Sequence, residues 1–178
     1  MLANAKMLER FQVQPAVVPQ DLDGGAAKTG AYVSLVHFAR VLVLVVFGDG
    51  SAGDDVEIKL YQAKDTSGTD AKVLNSIQTG RIYSKKGATE AALKAVGAFT
   101  KDTQAVADEL YVDTDSGEAA GLYAVEVQQS DLDDGFNSIR ADILSADGAS
   151  AAKLAAALYI MGDPSYPAAP EAMVSPVL

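Results

Sequence analysis

The chain has 178 residues, a formal net charge of −10 and neither cysteine nor tryptophan. Its length suits one domain, residues 1–178, that buries about 70% of its unfolded surface, and the lack of cysteine excludes disulfides, thiolate catalysis and cysteine-ligated metals. Residues 102–178 hold 14 acidic and only 2 basic side chains, a balance that disfavours nucleic-acid binding. We find no signal peptide or membrane-spanning run, and we expect synthesis in the cytoplasm.

The N-terminal segment, residues 1–30, combines an extended stretch with a loop. Phe11–Val18 contains Pro15 and is followed by Pro19. Proline lacks the N–H that a central strand requires, so this stretch predicts an edge strand or an extended arm. The sequence DLDGGAAKTG, residues 21–30, has the composition of a loop.

Three strands are predicted next along the chain. Ala31–Phe38 has the composition of a strand, and Val41–Phe47 has no polar side chain on either face. Such a run belongs in the middle of a sheet covered on both sides, or in a subunit interface. In Val56–Ala63 apolar and polar residues alternate, which predicts a half-exposed antiparallel strand.

The rest of the chain alternates short apolar runs with turn sequences. Further strands are predicted at Gly80–Ser84, Phe99–Val106, Leu122–Gln128, Phe136–Leu144 and Ala155–Met161. Several short strands at this spacing predict a mainly β fold, an antiparallel β-sandwich of jelly-roll-like type. Residues 88–96 predict a short helix, whereas residues 150–158 fit either helix or strand. The tail, residues 163–178, holds four of the six prolines and predicts an extended arm.

Catalytic chemistry finds little support in the sequence. His37 is the only histidine, and a hydrolase would need it beside a nucleophile such as Ser34 and an orienting carboxylate, in the setting of a nucleophile turn that is missing. Glycosidase chemistry would need two carboxyl groups in a cleft, and nothing singles out a pair. We therefore predict no catalytic residue, no cofactor-binding residue and no enzymatic activity.

Two acidic loops are the best candidates for a metal site. They are GDGSAGDD, with Asp49, Asp54 and Asp55, and SDLDDG, with Asp131, Asp133 and Asp134. Both supply oxygen ligands suited to calcium, but neither has the spacing of a calcium loop that ends in a bidentate glutamate. Solvated turns between strands are the favoured interpretation, so we predict no metal site. Gly48, Gly50 and Gly53 are also interpreted as turn residues, because the loop lacks phosphate-loop spacing and a lysine.

Four stretches carry a family resemblance: AAKTGAYVSL, LYQAKDTSGTDAKVL, VQQSDLDDGFNSIRADI and ALYIMGDPSYPAAPEAM. The matching features are the loop before TGAYVSL, residues 62–65 with Gly68 and Lys72, and residues 131–133 with Gly135, Phe136 and Ile139. In these features, which span most of residues 25–172, the chain resembles small virion structural proteins encoded beside the capsid genes of tailed phages and gene transfer agents.

The resemblance implies a capsid decoration, or cement, protein. Such a subunit sits on the outside of the phage head, commonly as a trimer, and clamps neighbouring major capsid subunits, so its implied location is the virion exterior. Related proteins form head-fibre or spike bases or tail parts, which stays an alternative. Basic positions in the first half of the chain are candidates for docking onto an acidic capsid surface: Arg10, Lys28, Arg40, Lys85 and Lys86.

A carbohydrate-binding or adhesin-like module is a second alternative, because it would share the sandwich. It would use exposed aromatic side chains in loops. The candidates are Tyr32, Tyr61, Tyr83, Tyr111, Tyr123, Tyr159 and Tyr166.

Overall fold

Twelve strands form in the part of the chain that the computed structural model describes, which comprises residues 7–74, 81–102, 110–112, 118–145, 152–165 and 172–177. The strands are β1 Phe11–Asp21, β2 Lys28–Thr29, β3 Val33–Ser34, β4 Phe38–Phe47, β5 Val56–Ala63, β6 Lys72–Val73, β7 Ile82–Gly87, β8 Thr100–Asp102, β9 Leu110–Val112, β10 Ala120–Gln128, β11 Ser138–Ser145 and β12 Leu154–Pro164. A short helix, α1, spans Glu90–Leu93, and 3-10 turns span Met7–Glu9 and Gln129–Asp131.

The strands make two antiparallel sheets. Sheet A has the order β1-β12-β4-β10-β7-β8. Sheet B has the order β2-β11-β5-β6, with β3 also paired to β11 and β9 to β5. Inward side chains from both sheets join in one hydrophobic cluster. This arrangement confirms the mainly β fold and the antiparallel sandwich.

Strand β4 lies at the centre of sheet A, between β12 and β10. Val41, Val43, Val45 and Phe47 point inward and are at most 2% exposed, which corresponds to roughly 6–12 kcal/mol of gross hydrophobic stabilisation before chain entropy is subtracted. The alternate residues between them point outward and are only partly covered. The predicted central position is confirmed, while the described residues bury the inward face of β4 completely and its outward face only in part.

Strand β1 is the edge strand that its prolines predict. Among the described strands it pairs with β12 alone, and its register shifts between Pro15 and Val17 and again between Val17 and Gln20. These irregularities fall where prolines interrupt the ladder of backbone hydrogen bonds. Val17 remains 2% exposed, so the strand is anchored in the core despite the breaks.

Tyr159 ties the two sheets together through the core. It lies in β12, its hydroxyl accepts a hydrogen bond from the Ala141 N–H of β11 at 2.7 Å, and it donates to the Ala31 carbonyl at 3.0 Å. Burial raises the pKa of the Tyr159 hydroxyl far above its usual value of 10. Gly30 lies at the point where the two segments cross, and its backbone approaches that of Ala141 so closely that a Cβ would clash with the Ala141 carbonyl oxygen.

The predicted strand over Ala31–Phe38 is wrong for most of its length. Only Val33–Ser34 pairs, with β11 of sheet B, and a turn then brings the Phe38 N–H to the Leu35 carbonyl at 3.1 Å. Phe38 begins β4 in the other sheet. The segment is apolar because it crosses the sandwich, with Val33 and Leu35 fully buried, so composition indicates burial here rather than strand geometry.

Residues 150–158, which fitted helix or strand, contain the start of β12. Leu154–Pro164 pairs with β1 on one side and β4 on the other. Two ladders of backbone hydrogen bonds and the burial of alternate residues outweigh the helix propensity of alanine. The strand predicted at Ala155–Met161 is therefore confirmed and runs further at its C-terminal end.

The other predicted strands agree with the sheets where they fall on described residues. Leu122–Gln128 lies inside β10, Phe136–Leu144 overlaps β11, and Gly80–Ser84 overlaps β7. In Phe99–Val106 the strand β8 covers three residues, and residues 103–106 lie outside the described ones.

The predicted short helix is confirmed as α1. Its first turn is capped by the Thr89 hydroxyl, which accepts from the Ala92 N–H at 3.2 Å.

Among the described residues, none of the helices has the length and hydropathy that crossing a bilayer requires.

The described part of the tail lies against its own domain rather than extending away from it. Asp163 and Pro164 are the last residues of β12. Further on, Met173 is 8% exposed and belongs to the core cluster, and the Pro176 carbonyl accepts from the Ser34 N–H at 2.8 Å. Burial of Met173 is a stronger restraint on this segment than the proline content that suggested an arm.

Candidate functional site

The outer surface of sheet A carries three parallel rows of side chains, which we call the apolar face. Strand pairing sets them side by side across β1, β12, β4, β10 and β7. The first row is Val13, Ile160, Leu42 and Glu126; the second is Pro15, Leu158, Leu44, Ala124 and Tyr83; the third is Ala156, Val46, Leu122 and Lys85. Apart from Glu126 and Lys85 at the margin, every member is apolar or aromatic.

Several of these side chains are open to solvent. Leu158 is 36% exposed, Val46 41% and Val13 42%, while Leu154 at the end of β12 reaches 62%. Single exposed apolar residues are ordinary on a protein surface, but a contiguous field of them marks an interaction site. The apolar face is therefore the strongest candidate for a functional surface on the described part of the molecule.

Charged residues border the apolar face at one end of β4. The Arg40 guanidinium lies 3.3 Å from Glu126 Oε1 and 2.8 Å from Asp163 Oδ2. All three side chains are substantially exposed, so the pairs contribute little to stability. They supply a polar margin in which both signs of charge are present.

An aromatic pair borders the same face along β7. The rings of Tyr83 and Phe99 meet edge to face with centroids 6.4 Å apart. Lys85 Nζ lies 4.6 Å from the Phe99 ring centroid and donates to the Gly97 carbonyl at 3.2 Å. The pair extends the apolar field toward β8 and places one cation at its edge.

The outer surface of sheet B, which we call the charged face, is built differently. Its outward residues on β5 and β11 include Glu57, Lys59, Tyr61, Arg140, Asp142 and Leu144. The alternation predicted for Val56–Ala63 is confirmed, since Val56, Ile58 and Leu60 are fully buried and the residues between them are not. This surface is polar almost throughout.

Arg140 organises the charged face. Its guanidinium lies 5.1 Å from the Tyr32 ring centroid and 4.4 Å from that of Tyr61, and its Nη2 lies 2.9 Å from Asp142 Oδ2. The other Asp142 oxygen accepts from the Gly30 N–H at 3.2 Å. Burial raises the pKa of the Tyr32 hydroxyl, although the nearby Arg140 charge lowers it.

The histidine considered for catalysis lies at a small cavity. His37 and Ser34 line a space of about 260 Å³ together with Val36, Phe38, Val174 and Ser175, and none of these described lining residues is a carboxylate. The Ser34 hydroxyl accepts from the Val36 N–H at 3.3 Å, which is a turn interaction. The arrangement that a serine hydrolase requires is not assembled from these residues.

The first acidic loop is organised around a buried carboxylate. Asp54 is 2% exposed, and its Oδ2 accepts from the Ser51 N–H at 3.0 Å while the Ser51 carbonyl accepts from the Asp54 N–H at 3.1 Å. Asp54 thus stabilises the turn between β4 and β5. Asp49 is exposed and Asp55 is partly covered.

The second acidic loop uses its carboxylates for ion pairs and a cap. Asp131 pairs with Arg81 and accepts from the Gln128 N–H at 2.7 Å. Asp133 lies 2.5 Å from Lys72 Nζ, and this contact lowers the pKa of the Asp133 carboxyl. Within the described ranges, no three His, Asp or Glu side chains are placed to hold a metal ion.

The basic positions considered for docking do not form one patch. Arg40 and Lys85 border the apolar face at opposite ends, and Lys28 lies in β2 of sheet B. Arg10 precedes β1, and Lys86 is the residue of β7 that faces Gly121.

Sequence reasoning identified β4 as unusual but missed the face to which it belongs. The signal was present in two strands: Val41–Phe47 lacks any polar residue, and residues 154–161 contain Tyr159 as their only polar side chain. Since β12 and β4 are neighbours, their outward residues combine. That adjacency follows from the topology and not from either segment alone.

No family model matches the chain, and no curated protein matches it. Among solved structures, SPBc2 prophage-derived protein YomS aligns with 84% of this chain and 94% of its own, at 8% identity and a TM-score of 0.33. The VP2 subviral particle of infectious bursal disease virus aligns with 94% of this chain at 11% identity and a TM-score of 0.26. T=1 particles derived from infectious bursal virus align at 14% identity and a TM-score of 0.27.

The chain spans less than half of the length of these two viral chains, 44% and 43%. TM-scores of this size do not establish a common fold, and sequence identities of this size do not establish a common function.

Proposed function

We propose that the chain is a virion structural protein, and in particular a capsid decoration protein on the outside of a phage head. The observation that carries the proposal is the apolar face, because a sandwich whose described residues leave one apolar sheet surface partly open to solvent is suited to assembly into a larger structure. The sequence resemblance to small virion proteins of tailed phages indicates that this larger structure is a phage particle. The proposed partners are further copies of the chain, with three as the expected number, and the major capsid protein.

The proposed mechanism is mechanical clamping without catalysis. A subunit that contacts two capsid subunits adds the free energy of both contacts to the resistance of the shell against internal pressure. The inner faces of both sheets are packed against each other, so the domain itself is stiff. Asp131 and Asp54 stabilise turns, which fits a scaffold role.

The acidic surplus of the chain supports an exterior location. A subunit with a net charge of −10 stays soluble and is repelled by packaged DNA. The proposed location is therefore the outer surface of the virion, reached after synthesis in the host cytoplasm.

Imaging of particles produced with and without the gene tests this function. We expect extra density on the outside of the head when the gene is present, and particles without it should lose their genome at a lower temperature. Density on the tail or at a fibre base would favour those alternatives over decoration. Particles that never contain the protein would contradict every virion role.

A carbohydrate-binding role is a second candidate because of the ring pair beside β7. Tyr83 is 38% exposed and Phe99 49%, and exposed rings of this kind are used to stack against sugars. Tyr123 and Tyr159 are fully buried, and the rings of Tyr32 and Tyr61 are occupied by Arg140. The side chains of the other two candidates, Tyr111 and Tyr166, lie outside the described part of the chain. Binding on a glycan array that is lost in Phe99→Ala would support this candidate.

A further inference from the structure

We propose that the apolar face is the surface through which copies of this chain bind one another, with the Leu44–Leu158 pair at the centre of the contact. These two residues face each other across β4 and β12 and lie in the middle row of the face. The inference deepens the proposed function and rests on it only for the presence of several copies on one particle. Self-association through the face requires no capsid.

The area of the face fits such a contact. The eleven apolar positions of the face, each about 4.8 Å wide across the strands and about 7 Å long between rows, give an apolar footprint of ~370 Å². With its bordering residues the face approaches the roughly 800 Å² per partner of a standard stable interface. The apolar footprint lies within the range of the largest apolar patch on a typical monomer, about 300–600 Å², and such patches are often functional.

The shape of the face fits a second sheet. A twisted sheet packs well against another twisted sheet about 10 Å away, with side chains of the two surfaces interdigitating. The apolar face has both the protruding side chains and the depressions that such packing requires, since Ala124 and Ala156 leave depressions beside the larger Leu44 and Val46. A second copy presents the same alternation of large and small residues, so the surface can be complementary to itself.

The charges on the face permit approach of a second copy despite the net charge of the chain. The margin holds Arg40, Lys85 and Lys101 as cations and Glu126 and Asp163 as carboxylates. Opposite signs can therefore meet across the contact, while the centre has no charge to desolvate. This combination of an apolar centre and a polar margin is the usual anatomy of a protein interface.

Light scattering on the purified full-length chain, in the absence of capsids, tests the inference. At micromolar concentration we expect a mass of at least two copies of the 18.5 kDa chain. The assembly should persist in molar sodium chloride because the centre of the contact is apolar. Leu158→Glu and Leu44→Gln should each raise the dissociation constant by about 100-fold, as expected at the centre of an interface. Circular dichroism should show both variants folded.

A matched control is available on the other sheet. Leu144 is a half-buried leucine in an outward row of β11, and Leu144→Gln should leave the mass of the assembly unchanged. A wild-type chain that is monomeric at high micromolar concentration would overturn the inference, as would face variants that assemble like wild type. If the wild type is monomeric and Leu158→Glu instead abolishes binding to heads, the face contacts the capsid and the proposed function survives without this inference.

Discussion

The two outer faces of the sandwich obey the same alternation and yet have opposite chemistry. In the Val41–Phe47 part of β4 and in Val56–Leu60 of β5, every second residue is buried in the core. The outward residues differ: Leu42, Leu44 and Val46 on sheet A, against Glu57, Lys59 and Tyr61 on sheet B. The inward residues of each strand determine the fold, whereas its outward residues determine which molecules the surface can contact.

The charged face buries its central carboxylate, Asp142, within the chain, whereas the apolar face leaves its central side chains partly in solvent. Asp142 points outward and is nevertheless only 4% exposed, because Arg140 and the backbone of Gly30 cover it. On the apolar face Leu158 and Val46 retain more than a third of their surface in solvent. We therefore expect substitutions on the charged face to change the stability of the monomer, and those on the apolar face to change assembly.

The largest expected effect on stability is that of Arg140→Ala. The substitution leaves the Asp142 carboxylate buried without its cation and removes the group between two tyrosine rings. Breaking a largely buried pair in this way costs about 3 kcal/mol of unfolding free energy. Urea denaturation followed by circular dichroism measures the loss.

The matched substitution on the other sheet is Arg40→Ala. Its partners Glu126 and Asp163 are exposed enough to be hydrated, so the expected loss is under about 1 kcal/mol. Equal losses in the two variants would contradict the distinction between the faces.

The sequence was sufficient to predict which residues of a strand point inward, but it was not sufficient to predict the contacts between distant segments. The buried halves of β4 and β5 and the edge position of β1 follow from local pattern and from proline chemistry. The position of Tyr32 beside Arg140 does not, since it depends on the crossing at Gly30 that brings the two segments together. The same crossing explains why Ala31–Phe38 has the composition of a strand without forming one.

An effect between those of Arg140→Ala and Arg40→Ala is expected from Tyr159→Phe, which tests how far the polar network of the charged face reaches into the core. The change deprives the Ala141 N–H and the Ala31 carbonyl of their partner, and one or both would then be buried without a hydrogen bond. The expected loss is about 2 kcal/mol, measured by the same urea denaturation. Tyr83→Phe, at an exposed tyrosine of the apolar face, is the control and should change stability by less than about 0.5 kcal/mol.

The smallest effect concerns the acidic loop at the end of sheet B and appears as a shift in titration. Lys72 lowers the pKa of Asp133, so this carboxylate favours the folded state above its unfolded pKa of about 4, and the contribution is lost as pH falls through the lowered value. In Lys72→Met the pKa of Asp133 should rise toward the ordinary value, as measured by NMR titration. Asp65 is the internal control, because its pKa is lowered by Thr69 rather than by a cation. An unchanged pKa at Asp133 would mean that Lys72 does not hold the carboxylate in solution. The apolar face has no part in this equilibrium, so self-association should be the same in Lys72→Met and in wild type.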